Sequence, residues 1–345
     1  LKPGISGSHF ATLLYGGFVS IALIVFVNIG QPYILLENLK MDSAEGTVTG
    51  SLAVAAEITA LLTIGYIGVL ADRIGRKPLI VFGTLVLAIG YFLMPLVTTI
   101  MALVLIRIVL AVGTTAETAM ISTILHDYAA EKARGKMLAI VGILMGIGAV
   151  LMNVIVGNLP ERFIARGVDA ITAGQYMHWI VVAICLISAV IFWIGFKPGT
   201  PVSEEDRLPQ LELMRRALLE AKKPRIALAY VASFVSRSDL VILGTFIVLW
   251  GTVAGRDQGM DTAEAVASGV RLFAITQMAG LLCSPVLGFV TDRINRVSGL
   301  AIGSLLGAVG YSSMFFVTDP ADNAFLPLFI LLGIGQTACN LSAQA

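Results

Sequence analysis

Between two long apolar runs the chain places Gly68-Val69-Leu70-Ala71-Asp72-Arg73-Ile74-Gly75-Arg76-Lys77-Pro78. Asp72, Arg73, Arg76 and Lys77 would each cost about 2.5–3.5 kcal/mol at the centre of a bilayer. The stretch is therefore a short aqueous turn, and the runs on either side of it are membrane helices. Roughly 220 residues later a weaker copy, Gly288-Phe289-Val290-Thr291-Asp292-Arg293-Ile294-Asn295-Arg296, sits between two further apolar runs.

The composition agrees with a polytopic membrane protein. Hydrophobic residues are 57% of the 345 and charged residues 13%, against about 25% charged in soluble domains; mean hydropathy is +0.90. A net charge of +1, with its basic residues scattered through short turns, argues against nucleic acid as a partner. Cys185, Cys283 and Cys339 are odd in number and lie inside apolar runs, so they are packing residues and not a disulfide framework. His9, His126 and His178 lack metal-ligand spacing. No G-x-x-x-x-G-K-[ST] loop occurs, which disfavours nucleotide-driven pumping; neither an enzyme nor a cofactor is expected. The chain opens without Met and stops inside an apolar run, so both ends are expected to be cut, and no cleavable signal peptide is evident.

A span needs about 20 apolar residues. Runs of that kind fall near 12–36, 47–70, 78–97, 100–125, 136–158 and 177–196, then near 225–250, 265–290, 298–317 and 324–345. The expected organisation is a six-helix half over 1–196, a polar linker over 197–224 and a second half over 225–345. In the linker, Pro198, Gly199 and Pro201 end a helix before Ser203-Glu204-Glu205-Asp206 starts another. Leu211, Met214 and Leu218 follow at helical spacing beside Arg215, Arg216, Lys222 and Lys223, an amphipathic helix on the membrane surface or a solvated connector. The turns after the second, fourth, sixth and eighth spans carry fifteen Lys and Arg, the opposite side only Lys40, Arg162, Arg166 and Arg256. That bias sets the first group, and the N-terminus, in the cytoplasm.

The first turn resembles the signature of the major facilitator superfamily, G-x-L-x-D-R-x-G-R-K between the second and third helices, with Gly68, Leu70, Asp72, Arg73, Gly75, Arg76 and Lys77 all matching. The resemblance implies an all-α bundle of six plus six helices related by a pseudo-two-fold axis, of which about ten spans are present, with a substrate site between the halves. It implies secondary transport of a small-molecule substrate by a monomer embedded in a lipid bilayer, in a bacterial inner membrane, with protons as the coupling ion. Phe18-Val19-Ser20 and Phe234-Val235-Ser236, and Gly113-Thr114-Thr115-Ala116 and Gly335-Gln336-Thr337-Ala338, extend the internal repeat. By that pattern the last two spans of the second half are missing.

The resemblance also assigns gate roles. Asp72 clasps a helix start in the opposite half, and the turn arginines pair with an acid below the fourth helix, here Asp127 or Glu131, beside Arg134. By symmetry Asp292, with Gly288, Arg293 and Arg296, forms a second clasp near Gly135 to Met137, weaker because Asn295 and Val297 replace the glycine and lysine. The other reading is that these charges only fix topology. The fifth helix lacks the proline and final glycines of the family's antiporter motif, which weakens export by antiport.

Within the spans, Glu57, Arg107, Glu117, Arg237 and Asp239 lie about 10 Å or deeper, where a lone charge needs a partner or water. Arg107 holds the arginine position of the family's fourth-helix motif, which faces the central cavity; the alternative is an arginine satisfied by backbone carbonyls. Glu57 and Glu117 are either proton-carrying acids or hydrogen-bonded structural ones. Arg237 and Asp239, two residues apart, point to different sides of their helix, so Asp239 meets a group on another helix. Asn28, Gln31, Asn153, Gln277, Gln336 and Asn340 either bind substrate or join helices. The function expected is proton-linked transport of an organic solute; an organic-anion symporter or uniporter, and a non-transporting sensor or assembly factor, are the alternatives.

Overall fold

In hydrocarbon a backbone must satisfy its own N–H and C=O groups, and an α-helix does so within one segment. The computed structural model describes residues 1–41, 45–130, 134–199, scattered positions from 212 to 231, 243–291, 293, 296–320 and 322–344. They form two compact units, 1–214 and 215–345.

The first unit holds α1 (Gly7–Glu37), α2 (Glu45–Ile74), α3 (Arg76–Leu93), α4 (Ile100–Tyr128), α5 (Arg134–Leu151), the short α6 (Leu159–Ile164) and α7 (Ala170–Gly195). A π-helical turn at Met152–Val156 carries α5 on toward α6, so this stretch makes one span and the unit holds six. Pro32 lies inside α1, where neighbouring helices tolerate the lost N–H. α7 starts at Ala170, earlier than the run near 177 suggests, because Asp169 caps it by accepting from the Thr172 N–H at 2.9 Å. Ser6 and His9 close α1 with a reciprocal capping box, and Thr99 caps α4.

In the second unit three helices are long and apolar enough to span, Thr262–Leu287, Ser298–Phe316 and Asn323–Leu341. The span expected near 225–250 lies largely outside the described residues; a π-turn at Leu243–Ile247 and a helix Val248–Asp257 are its visible end. Nine candidate spans therefore stand among the described residues, where the sequence suggests ten.

In the first unit, contacts fix helix direction. Tyr33 packs on Gly174, His178 on Gly30, Phe192 on Gly16 and Thr12 on Gly195, so α1 and α7 are antiparallel. Tyr33 Oη donates to the Ala170 carbonyl at 2.7 Å. α1 meets α5 closely, since a Cβ at Gly148 would stand 2.0 Å from the Phe18 carbonyl oxygen; small residues let membrane helices approach to this distance. At Gly142, on the same helix, a Cβ would meet nothing within 4 Å. Leu62, Met101 and Ile194 are exposed, the outward apolar face that a bilayer covers.

The end of α4 is tied down from both sides. Lys2 donates from its backbone N to the Tyr128 carbonyl at 3.0 Å and from Nζ to the His126 carbonyl at 3.1 Å. These are last-turn carbonyls, and a cation there complements the helix dipole. The Lys197 N–H donates to Tyr128 Oη at 3.0 Å.

Candidate functional site

Two groups of polar residues stand out in the first unit, one at the turn between α2 and α3 and one inside the bundle.

At the turn, Gly75 has φ +95°, a conformation only glycine adopts easily, and a Cβ there would lie 2.6 Å from the Gly199 carbonyl oxygen. Its N–H donates to the Ala71 carbonyl at 3.1 Å, and this ends α2 and starts α3 at once. Arg76, the next residue, donates from Nη1 to Asp72 Oδ1 at 2.8 Å and to the Ala71 carbonyl at 2.9 Å, and from Nε to Asp127 Oδ2 at 3.1 Å. One guanidinium thus joins the end of α2, the start of α3 and the end of α4. Its fixed fork of donors makes that three-way bond possible. Lys77 lies over the Trp193 ring of α7, 5.3 Å from its centroid. Arg73 is exposed, and a Cβ at Gly68 would meet nothing within 4 Å beyond its own helix.

Glu131 and Asp292 lie outside the described residues, and so do the side chains of Arg134 and Arg296, although both positions begin helices. Gly288 lies within the helix Thr262–Thr291. Arg293 is exposed and stacks over Phe289, 4.0 Å from the ring centroid.

Inside the bundle, Glu117 of α4 is fully buried. Its Oε1 accepts from Ser20 Oγ of α1 at 3.1 Å and lies 3.2 Å from Thr84 Oγ1 of α3. Thr84 also lies 2.9 Å from the Ile80 carbonyl, and its single hydrogen serves one acceptor at a time. Glu117 Oε2 has no hydrogen-bond partner. Arg107, on the same helix, is 7% exposed and its Nε is likewise unpartnered. Tyr91 of α3 and Glu57 of α2 are within electrostatic reach of Arg107. Tyr91 also feels Glu117 and donates to the Leu23 carbonyl of α1. Phe26 lies edge-on to Tyr91 at 5.1 Å and to His178 at 5.0 Å. His178 Nδ1 bonds the Gly174 carbonyl at 2.8 Å, while Nε2 has no partner.

Buried polar groups without partners cost about 1–3 kcal/mol each. Gln31 at both amide atoms, Thr49 Oγ1 and Asn153 Oδ1 add to those already named. Among the described residues no group of three His, Cys, Asp or Glu is placed to hold a metal.

Arg107 lies within electrostatic reach of Glu57 and Tyr91, and Tyr91 within reach of Glu117, while Arg107 and Glu117 stand about 15 Å apart along α4. Arg237 and Asp239, expected to join them, lie outside the described residues. Ser20, Thr84, Tyr91 and His178 are not singled out by sequence as members of this site. Hydroxyls and aromatic rings are common in apolar helices, and only the repeat Phe18-Val19-Ser20 draws the eye to one of them.

A family model described as Major Facilitator Superfamily matches residues 10–345. The chain is 27% identical to the magnetosome protein MamH of Paramagnetospirillum magneticum, over 97% of this chain and 77% of that protein. It is 24% identical to the magnetosome protein MamZ of the same organism over 87% of this chain, and the match spans about half of that relative, 47%. Among solved structures, the nucleoside transporter NupG superposes with a TM-score of 0.72 over 97% of this chain and 80% of that one, at 18% identity, a likeness of fold.

Proposed function

Because the chain belongs to the major facilitator superfamily, we propose that it moves a small organic solute across a membrane by alternating access, with protons as the coupling ion and Glu117 as the carboxyl that carries them. The observation that carries the reading is the setting of Glu117, buried between α1, α3 and α4 with two hydroxyls at Oε1 and nothing at Oε2. Ser20 and Thr84 can each donate or accept. They serve the ionised carboxylate as donors, and one of them can rotate to accept when the acid is protonated, so the bundle holds both states without repacking. Glu57, within reach of Arg107, is the second acid on the same route.

In this reading the turn Arg76–Asp72–Asp127 is the gate. The N-terminus and the Lys- and Arg-rich turns face the cytoplasm, for a bacterial inner-membrane protein acting as a monomer. The chain's Lys and Arg distribution supports that orientation.

The test is transport in proteoliposomes. Glu117→Gln keeps the shape of the side chain and removes its titration. Accumulation driven by a pH gradient should be lost, while exchange at equal concentrations continues, since exchange needs no net protonation. Unchanged accumulation in Glu117→Gln, Glu57→Gln and the double variant would exclude both acids.

A second reading has one observation behind it: two relatives are named for an organelle, the magnetosome, and for no solute. It makes the chain a transporter-like member of a membrane assembly. Solute-dependent uptake or efflux by the purified protein decides against it.

A further inference from the structure

We propose that Gln31 contacts the transported solute, and that Gln31 and Arg107 together bind a carboxylate group on it. The proposal rests on the transport reading and names the solute class.

The register of α1 against α4 sets the two residues at one depth, with Arg107 about 80° around α4 from Glu117. Ile121 packs on Gly16 and Glu117 bonds Ser20, so the helices run antiparallel with these pairs level. Eleven residues along α1 from Ser20 is Gln31, about 16 Å away, and ten residues back along α4 from Glu117 is Arg107, about 15 Å away in the same direction. The two residues therefore lie at one depth. Eleven residues are three helical turns to within about 20°, so Gln31 occupies the α1 face that Ser20 turns toward α4.

Gln31 is fully buried, and neither its amide nitrogen nor its amide oxygen has a hydrogen-bond partner. Arg107 is buried and its Nε has none. Tyr91 and Glu57 are near enough to act on the guanidinium, yet neither takes the Nε hydrogen. A structural glutamine in an apolar bundle binds a carbonyl or another side chain; this one has no hydrogen-bond partner in the bundle.

The unmet groups define what fits. Arg107 Nε–H and the Gln31 amide N–H are both donors, and two donors at one depth call for an acceptor-only group. A carboxylate offers two oxygens and the charge that a guanidinium prefers. The Gln31 oxygen remains to accept from a hydroxyl or ammonium next to that carboxylate, which fits a hydroxy acid or an amino acid. An organic cation could meet the Gln31 oxygen and Glu57 but would leave both donors without the acceptors they need.

Thermal unfolding of the purified full chain in detergent tests this without requiring transport. The probes are acetate, lactate, glycine and succinate, with methyl lactate and tetramethylammonium for comparison. At least one carboxylate should stabilise the protein where methyl lactate and tetramethylammonium do not. Gln31→Met, similar in volume and without the amide, should weaken that carboxylate at least tenfold while leaving the empty protein's melting temperature equal or higher, because it removes an unpartnered polar group. Arg107→Met should abolish the effect.

Stabilisation in Gln31→Met equal to that of the parent would remove Gln31 from the site. A lower melting temperature of empty Gln31→Met would make the residue structural. No protection by any carboxylate, or equal protection by tetramethylammonium, would overturn the carboxylate class. Carboxylate binding that depends on Gln31, in a protein that moves none of the probes in proteoliposomes, would sink the transport reading and leave the site standing.

Discussion

Arg76, the first residue of α3, donates through Nε to Oδ2 of Asp127 at the foot of α4, across 3.1 Å and 51 positions of sequence. The same guanidinium holds Asp72 and the Ala71 carbonyl through Nη1. Arg76→Lys should loosen this junction although it keeps the charge, because an ammonium lacks the planar fork that reaches partners in two directions. Both carboxylates are partly exposed, so each pair is worth about 0.2–1 kcal/mol. The expected outcome is a shift of a few-fold in cysteine accessibility between the two sides of the membrane, with expression unchanged. Identical accessibility in Arg76→Lys and Arg76→Ala to that of the parent would show that the junction does not control the gate.

Gly75 is buried, and Gly75→Ala is expected to be damaging. The new Cβ would stand 2.6 Å from the Gly199 carbonyl oxygen, at a φ of +95°. The left-handed backbone alone costs about 1–2 kcal/mol. A melting temperature several degrees below that of the parent is expected, and an unchanged one would mean that the turn has another conformation available.

Gly148→Ala and Gly142→Ala form a matched pair on α5. At Gly148 the Cβ meets the Phe18 carbonyl oxygen at 2.0 Å, a backbone atom that cannot rotate away; at Gly142 it meets nothing. Overpacking of this kind costs about 1–3 kcal/mol, whereas alanine for an open helical glycine stabilises by up to about 1 kcal/mol. The two variants should therefore move thermal stability in opposite directions. Equal effects would place the contact between α1 and α5 elsewhere.

Asp169 gives a pH prediction outside the spans. The Thr172 N–H, donated to its carboxylate, holds this acid below its ordinary titration range. The folded value lies under the unfolded one, near 3.9, so the stabilisation is complete above that pH and disappears as pH falls through the folded value. Asp169→Ala should unfold at a lower temperature than the parent at pH 7, and the gap should close in strongly acidic buffer. A gap that does not depend on pH would mean the carboxylate's charge has no part in capping α7.

Much of the first unit is legible in the sequence because bilayer and period leave few choices. Runs of about 20 apolar residues must be helices, and Asp72, Arg73, Arg76 and Lys77 must sit at a water-facing turn. The start of α7 is not legible in this way: the stretch from Ala170 to Tyr176 is polar enough to read as loop, and the Asp169 cap together with Tyr33 packed on Gly174 holds it as helix. The difference between Gly148 and Gly142 is equally hidden, since both are small residues on one helix and only the position of α1 distinguishes them.

The sequence by itself determined that the chain crosses a membrane repeatedly, where it turns, and which charges, Glu57, Arg107 and Glu117, lie too deep to be ornamental, because hydrocarbon penalises each of these locally and residue by residue. Only the tertiary structure decided that Ser20 and Thr84 meet Glu117, that Asp127 takes Arg76, and that the buried Gln31 amide has no partner. Those facts depend on how far one helix slides and rotates against another. That choice is made by the fit of small residues such as Gly16 and Gly148 against their neighbours, which no single helix encodes.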